Sequence, residues 1–153
     1  MKKSMSMFFI ALMLIGALTS CRTIAEQPED NSDNLLAQMQ EYRVEYVGDN
    51  SGVSQLLSFL PQFDDNYVQN MFAIQTYVSP YGITIYYEAV ENSDGSSMVV
   101  TEEMTTYAGY LFECIFDLGY IEYAYRTTPS DGKLERFAYT ILLKVDHPDV
   151  VKL

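Results

Sequence analysis

The sequence predicts an α+β domain, two helices packed on one face of a mainly antiparallel sheet. Two kinds of hydrophobic spacing and the residues between them carry that prediction. Stretches at 42–47, 71–78, 83–90, 120–126 and 137–145 are strand-like, most of them alternating with period two or rich in β-branched and aromatic residues. Stretches at 53–60 and 104–118 carry apolar residues at three-and-four spacing behind good capping residues. The resulting order, strand-helix-strand-strand-helix-strand-strand, matches a ferredoxin-like split β-α-β arrangement with one extra C-terminal strand.

Residues 1–20 read as a targeting segment rather than as part of that domain. Lys2 and Lys3 precede the apolar run Phe8-Phe9-Ile10-Ala11-Leu12-Met13-Leu14-Ile15. That run is too short for a hydrocarbon core, which takes about 20 apolar residues. Leu18-Thr19-Ser20-Cys21 follows and resembles the lipobox of bacterial lipoproteins: aliphatic, small, small, Cys. The resemblance implies diacylglyceryl transfer to the Cys21 sulfur and removal of residues 1–20. It also implies an extracytoplasmic protein lipid-anchored to a bacterial membrane, whose partner there is membrane lipid. An ordinary secretory signal cut near Ser20 and an uncleaved signal anchor are the competing readings.

Residues 21–40 then form the lipidated cysteine and an acidic tether (Glu26, Glu29, Asp30, Asp33). Leu35, Leu36 and Met39 suffice for one helical turn at its end, and a single domain is expected over 41–153. Beyond residue 20 the chain keeps seven of its nine Lys and Arg against all 21 Asp and Glu, a net charge of −14. Such a surface repels nucleic acid, so neither DNA nor RNA is expected as a partner. With Cys21 acylated, Cys114 has no partner for a disulfide, and its neighbours Leu111, Phe112, Ile115 and Phe116 make it a buried small hydrophobe.

In the first strand, Tyr42, Val44 and Tyr46 share a face opposite Arg43 and Glu45. Gly48-Asp49-Asn50-Ser51-Gly52 breaks it and supplies three N-cap candidates for a helix carrying Val53, Leu56, Leu57 and Leu60, closed by Pro61. Spacing argues against two sharper readings of this loop. Asn50 interrupts a Gly-Asp-Ser-Gly nucleophile surround, and the alternating carboxylates of a calcium loop are missing. Phe63 to Tyr67 is a polar linker whose Asp64 and Asp65 are expected in solvent.

The next two strands form a hairpin through Ser79-Pro80-Tyr81-Gly82, a type I turn by composition. Ile83, Ile85, Tyr87 and Ala89 are expected inside, with Thr84, Tyr86 and Glu88 outside. Thr101 caps the second helix, Glu102 and Glu103 suit its positive end, and Gly119 is its expected stop. Tyr120–Arg126 and Phe137–Val145 close the domain as a second hairpin, the latter with Phe137, Tyr139, Ile141, Leu143 and Val145 on one face.

Three stretches carry a family resemblance. Tyr46-Val47-Gly48-Asp49-Asn50-Ser51-Gly52-Val53, Pro80-Tyr81-Gly82-Ile83-Thr84-Ile85-Tyr86-Tyr87 and Leu111-Phe112-Glu113-Cys114-Ile115 resemble the signatures of a bacterial family of uncharacterised extracytoplasmic domains. Members occur as lipoproteins, and others are fused to membrane metallopeptidases of the β-lactam-sensor type, which implies a sensory module. This chain has no His-Glu-x-x-His motif, so no peptidase activity is carried over. The resemblance transfers no catalytic residue, metal set or cofactor.

The functional expectation is a non-catalytic binding or sensing domain for an envelope protein or small ligand. Its possible binding surface is the Asp49, Asn50 and Ser51 loop together with the Pro80, Tyr81 and Gly82 turn. The alternative is an envelope hydrolase or transferase using acidic residues, such as Asp49 with Asp64 or Asp65. A sugar-binding variant would stack ligands on Tyr86 or Tyr123, in a chain without Trp.

Overall fold

The computed structural model describes residues 31–149. The targeting segment, the lipobox Leu18-Thr19-Ser20-Cys21 and the first part of the tether lie outside the described residues. The elements are α1 (Asn31–Gln40), α2 (Asn50–Leu57), β1 (Tyr67–Gln75), β2 (Tyr81–Ala89), α3 (Glu102–Cys114), β3 (Leu118–Arg126) and β4 (Thr140–Asp146). A 3-10 turn, Arg136–Ala138, precedes β4. The four strands lie in the order β1-β2-β3-β4. The β1/β2 and β3/β4 pairs are antiparallel, and α3 crosses between the parallel pair β2 and β3.

The mixed class is as expected, but the ferredoxin-like order is replaced, because Tyr42–Val47 does not enter the sheet. It makes one isolated bridge, Val44 to Ile115. The Val44 N–H donates to the Cys114 carbonyl at 2.9 Å, and the Phe116 N–H donates back to Val44 at 3.2 Å. The Val47 N–H donates to Asp117 Oδ1 at 2.6 Å. Val44 and Val47 turn inward while Tyr42 and Tyr46 are exposed, so the inward spacing is three rather than two. With no strand there to occupy the centre, β3 pairs directly with β2.

Three helices rather than the expected two contribute side chains to one hydrophobic core with the sheet. Met39 of α1 is fully buried, and Leu35 and Leu36 pack against the core. Residues 31–40, expected in the tether, are therefore helical, because three apolar side chains on one face have a hydrophobic surface to cover. Asp49 caps α2, accepting the Gly52 N–H at 3.0 Å, and Val53, Leu56 and Leu57 are buried. Thr101 caps α3, accepting the Met104 N–H at 3.4 Å, with Glu102 and Glu103 in the first turn. Met104, Ala108, Leu111 and Cys114 face the core.

These side chains meet Ile83, Ile85, Tyr87 and Ala89 of β2 and Ile121 and Tyr123 of β3. Ile83 pairs with Ile121 and Ile85 with Tyr123, so both strands present that face in register. The Tyr123 hydroxyl donates to the Met104 carbonyl at 2.8 Å, tying β3 to α3 through the core. Phe63, expected in a polar linker, is buried there and meets the Tyr107 and Tyr123 rings edge-on at 5.7 and 5.8 Å.

Several boundaries differ from expectation: β1 begins at Tyr67 rather than at 71, and α2 ends at Leu57, short of Leu60. Helix α3 ends at Cys114 rather than at Gly119, which lies in β3. Gly119 is needed there for space: a Cβ would stand 2.5 Å from Pro80 Cβ. The 76–80 connection contains a cis Ser79–Pro80 bond, where a type I turn uses a trans one. Phe137 lies in the 3-10 turn and is 88 % exposed, so the last strand starts at Thr140.

The second face of the sheet is also partly covered. Glu88 and Tyr86, expected outside, are each only 5 % exposed. The segment between β3 and β4 folds over them: the Ser130 N–H donates to Glu88 Oε2 at 3.0 Å and the Tyr139 hydroxyl donates to Glu88 Oε1. The Tyr139 ring stands edge-on to Tyr86 at 4.7 Å, and the Arg126 guanidinium lies over it at 5.6 Å.

Candidate functional site

The structure does not bring the two expected site stretches into one site. The Asp49 carboxylate is occupied as the α2 cap. Asn50 and Ser51 are exposed and, with Ser54, Gln55 and Ser58, line a shallow hollow of about 430 Å³ on α2. Pro80 is exposed, Tyr81 half-buried and Gly82 buried. A Cβ on Gly82 would stand 2.2 Å from the Tyr120 ring, so this glycine serves sheet packing. Asp64 accepts the Asn66 N–H at 2.8 Å in a local turn, and Asp65 is exposed. Tyr86 and Tyr123 are both buried, so neither can stack on a sugar.

A concave surface lies at the end of the domain where α3 passes into β3. A groove of about 510 Å³ is lined by Arg43, Phe112, Glu113, Phe116, His147 and Asp149, with Gly109 and Pro148 completing it. Phe116 also borders two adjoining hollows, one with Arg43, Val44 and Glu45, the other with Ser79, Pro80 and Asp117. Pro80 is thus the one expected site residue that borders this surface.

Three local arrangements position the groove. The backbone exchange between Val44 and the 114–116 segment sets Arg43 beside the end of α3. Phe116 lies two residues beyond the end of α3, off the line of its buried face, and is 85 % exposed. Beyond β4, the His147 N–H donates to the Gly119 carbonyl at 2.8 Å, and the His147 ring packs edge-on against Phe112 at 4.9 Å. His147 Nδ1 accepts the Asp149 N–H at 3.1 Å, which leaves Nε2 as the N–H donor of the neutral ring.

The groove offers aromatic surface from Phe112 and Phe116, donors in Arg43 and His147, and acceptors in Glu113 and Asp149. None of these groups forms an ion pair with another within 4.0 Å. Cys114 lies just behind, buried. Burial pushes its thiol up, the Arg43 charge pulls it down and Glu113 adds to the rise, for a net increase. Among the described residues no group of three or more His, Cys, Asp or Glu could hold a metal ion.

Residues 39–140 match the model of a family described as a domain of unknown function, DUF4825. The chain belongs to this family. The match runs from the buried Met39 to the first residue of β4, so it covers both the helical face and most of the sheet. It also spans Arg43, Phe112, Glu113 and Phe116 of the groove, whereas His147 and Asp149 lie beyond it. No curated protein and no solved structure matches the chain.

Sequence reasoning missed the groove because its residues lie far apart in the chain and carry no motif. Two signals were present: His147 is the only histidine, and Arg43 is a lone cation between Glu41 and Glu45.

Proposed function

We propose that this DUF4825 chain is a non-catalytic binding or sensing domain, held outside a bacterial membrane by acylated Cys21, and that the groove around Phe116 is its binding surface. The exposure of Phe116 carries the reading. A phenylalanine gains about 1.5–3 kcal/mol from burial, yet this one stands 85 % exposed beside concave surfaces on three sides. Exposed Tyr46 lies on the neighbouring 42–47 segment. Tyr77 and Val78 lie in the β1–β2 connection, at the sheet end where Tyr81 pairs with Leu118. Several apolar side chains at one end, rimmed by charges, are what a recognition surface requires.

The anchor is supported by the lipobox-like Leu18-Thr19-Ser20-Cys21 and the short apolar run before it. Among the described residues no helix is long and apolar enough to cross a membrane. Replacing Cys21→Ser should abolish lipid labelling and release the protein from the membrane fraction; an unchanged, still processed membrane-bound product would refute the anchor. For the groove, the full chain in detergent is screened by thermal shift against fractionated envelope peptides and small molecules. Stabilising fractions should lose their effect on Phe116→Ser, and hits that act equally on both proteins would remove the groove from the proposal.

A further inference from the structure

We infer that the groove around Phe116 takes a zwitterionic ligand with an apolar side chain, the chemistry of a free amino acid or of a short peptide presenting both termini. The inference rests on the groove being the binding surface and adds the ligand class. Its basis is the arrangement of charge. Arg43 and His147 line the groove together with Glu113 and Asp149, and no pair of them closes to within 4.0 Å.

A ligand with only a carboxylate would meet Arg43 but also face Glu113 and Asp149. It would approach a chain whose net charge beyond residue 20 is −14. A ligand with only an amine would face Arg43. A zwitterion has no net charge to be repelled and places each terminus against its opposite. The guanidinium presents a planar fork that matches a carboxylate, and the acidic side chains accept from an ammonium group. The apolar side chain then covers Phe116, which is exposed in the groove. The volume of about 510 Å³ falls in the range of small-molecule sites.

The test is calorimetric titration of the full chain in detergent with leucine, leucyl-leucine, N-acetyl-leucyl-leucine and leucyl-leucine amide. Saturable binding of leucyl-leucine is expected, weakened about tenfold when either terminus is blocked, the loss of one charge-assisted hydrogen bond. Arg43→Gln should erase the preference for the free acid over the amide while keeping the preference for the free amine. Glu113→Gln combined with Asp149→Asn should do the reverse. These are surface substitutions, and unchanged circular dichroism confirms the fold. Leucine binding as well as the dipeptide assigns a free amino acid; dipeptide binding alone assigns a peptide.

Equal binding of blocked and free forms overturns the inference, as does no saturable binding of any probe up to about 10 mM. If Phe116-dependent hits persist in the thermal-shift screen, such a result removes only the ligand class. If they vanish as well, the groove itself falls.

Discussion

Glu88 holds the segment between β3 and β4 to the sheet, and replacing it with Gln measures that attachment. Glu88 is 5 % exposed, and its carboxylate accepts from the Ser130 N–H at 3.0 Å and from the Tyr139 hydroxyl. Glutamine keeps one acceptor oxygen and turns an amide N–H₂ toward the other donor, so one charge-assisted bond is lost and one weakened. Each such bond contributes about 1.5–3 kcal/mol, and the released donors are close enough to solvent to rehydrate. The expected loss for Glu88→Gln is about 2 kcal/mol, which lowers Tm by roughly 6–10 °C in a domain of this size.

The pH dependence has a defined sign. Burial raises the Glu88 pKa, but hydrogen bonds from Tyr139, Asn70 and Ser130 outweigh it, and the net value lies below the ordinary 4.5. A carboxyl depressed in the folded state stabilises above its unfolded pKa and loses that contribution as pH falls through the folded pKa. The stability gap between wild type and Glu88→Gln in urea melts should therefore be full at about pH 7 and close progressively below the ordinary value. Trypsin supplies an independent readout, because Lys133 and Arg136 lie in the attached segment and should be cut faster in the variant. No gap at neutral pH, or one that persists undiminished in acid, would refute the argument. On the same link, Tyr139 is raised to about 12 by burial and by the adjoining Glu88 carboxylate, so its ultraviolet titration should shift downward when Glu88 is neutralised.

Three further outcomes test the rest of the fold. Met39→Ala should cost about 2–5 kcal/mol in a denaturant melt, since Met39 is fully buried; a cost under about 1 would show that α1 is not part of the core. Gly119→Ala should destabilise by roughly 1–3 kcal/mol because the added methyl meets Pro80, and wild-type stability would refute the close approach of that turn to β3. The buried Cys114 thiol, its pKa raised by burial, should resist alkylation at neutral pH until denaturant is added. Rapid labelling of the folded Cys21→Ser protein would contradict its burial.

The sequence alone determined the elements whose spacing and end signals agreed. Helix α3 was legible from Thr101, Glu102, Glu103 and its apolar face, α2 from Asp49 and Val53-Leu56-Leu57, and the β1–β2 hairpin from its β-branched runs. It misplaced what depends on neighbours distant in the chain. Tyr42–Val47 alternates like a strand, but an alternating pattern does not say which backbone will accept its hydrogen bonds, and these go to residues 114–117. Glu88 and Tyr86 follow the outward phase of β2, yet Tyr139 and Ser130 return to bury them. Only tertiary structure could decide the groove. Arg43, Phe116 and His147 become neighbours because α3 stops one turn early and the chain beyond β4 hydrogen-bonds back to Gly119.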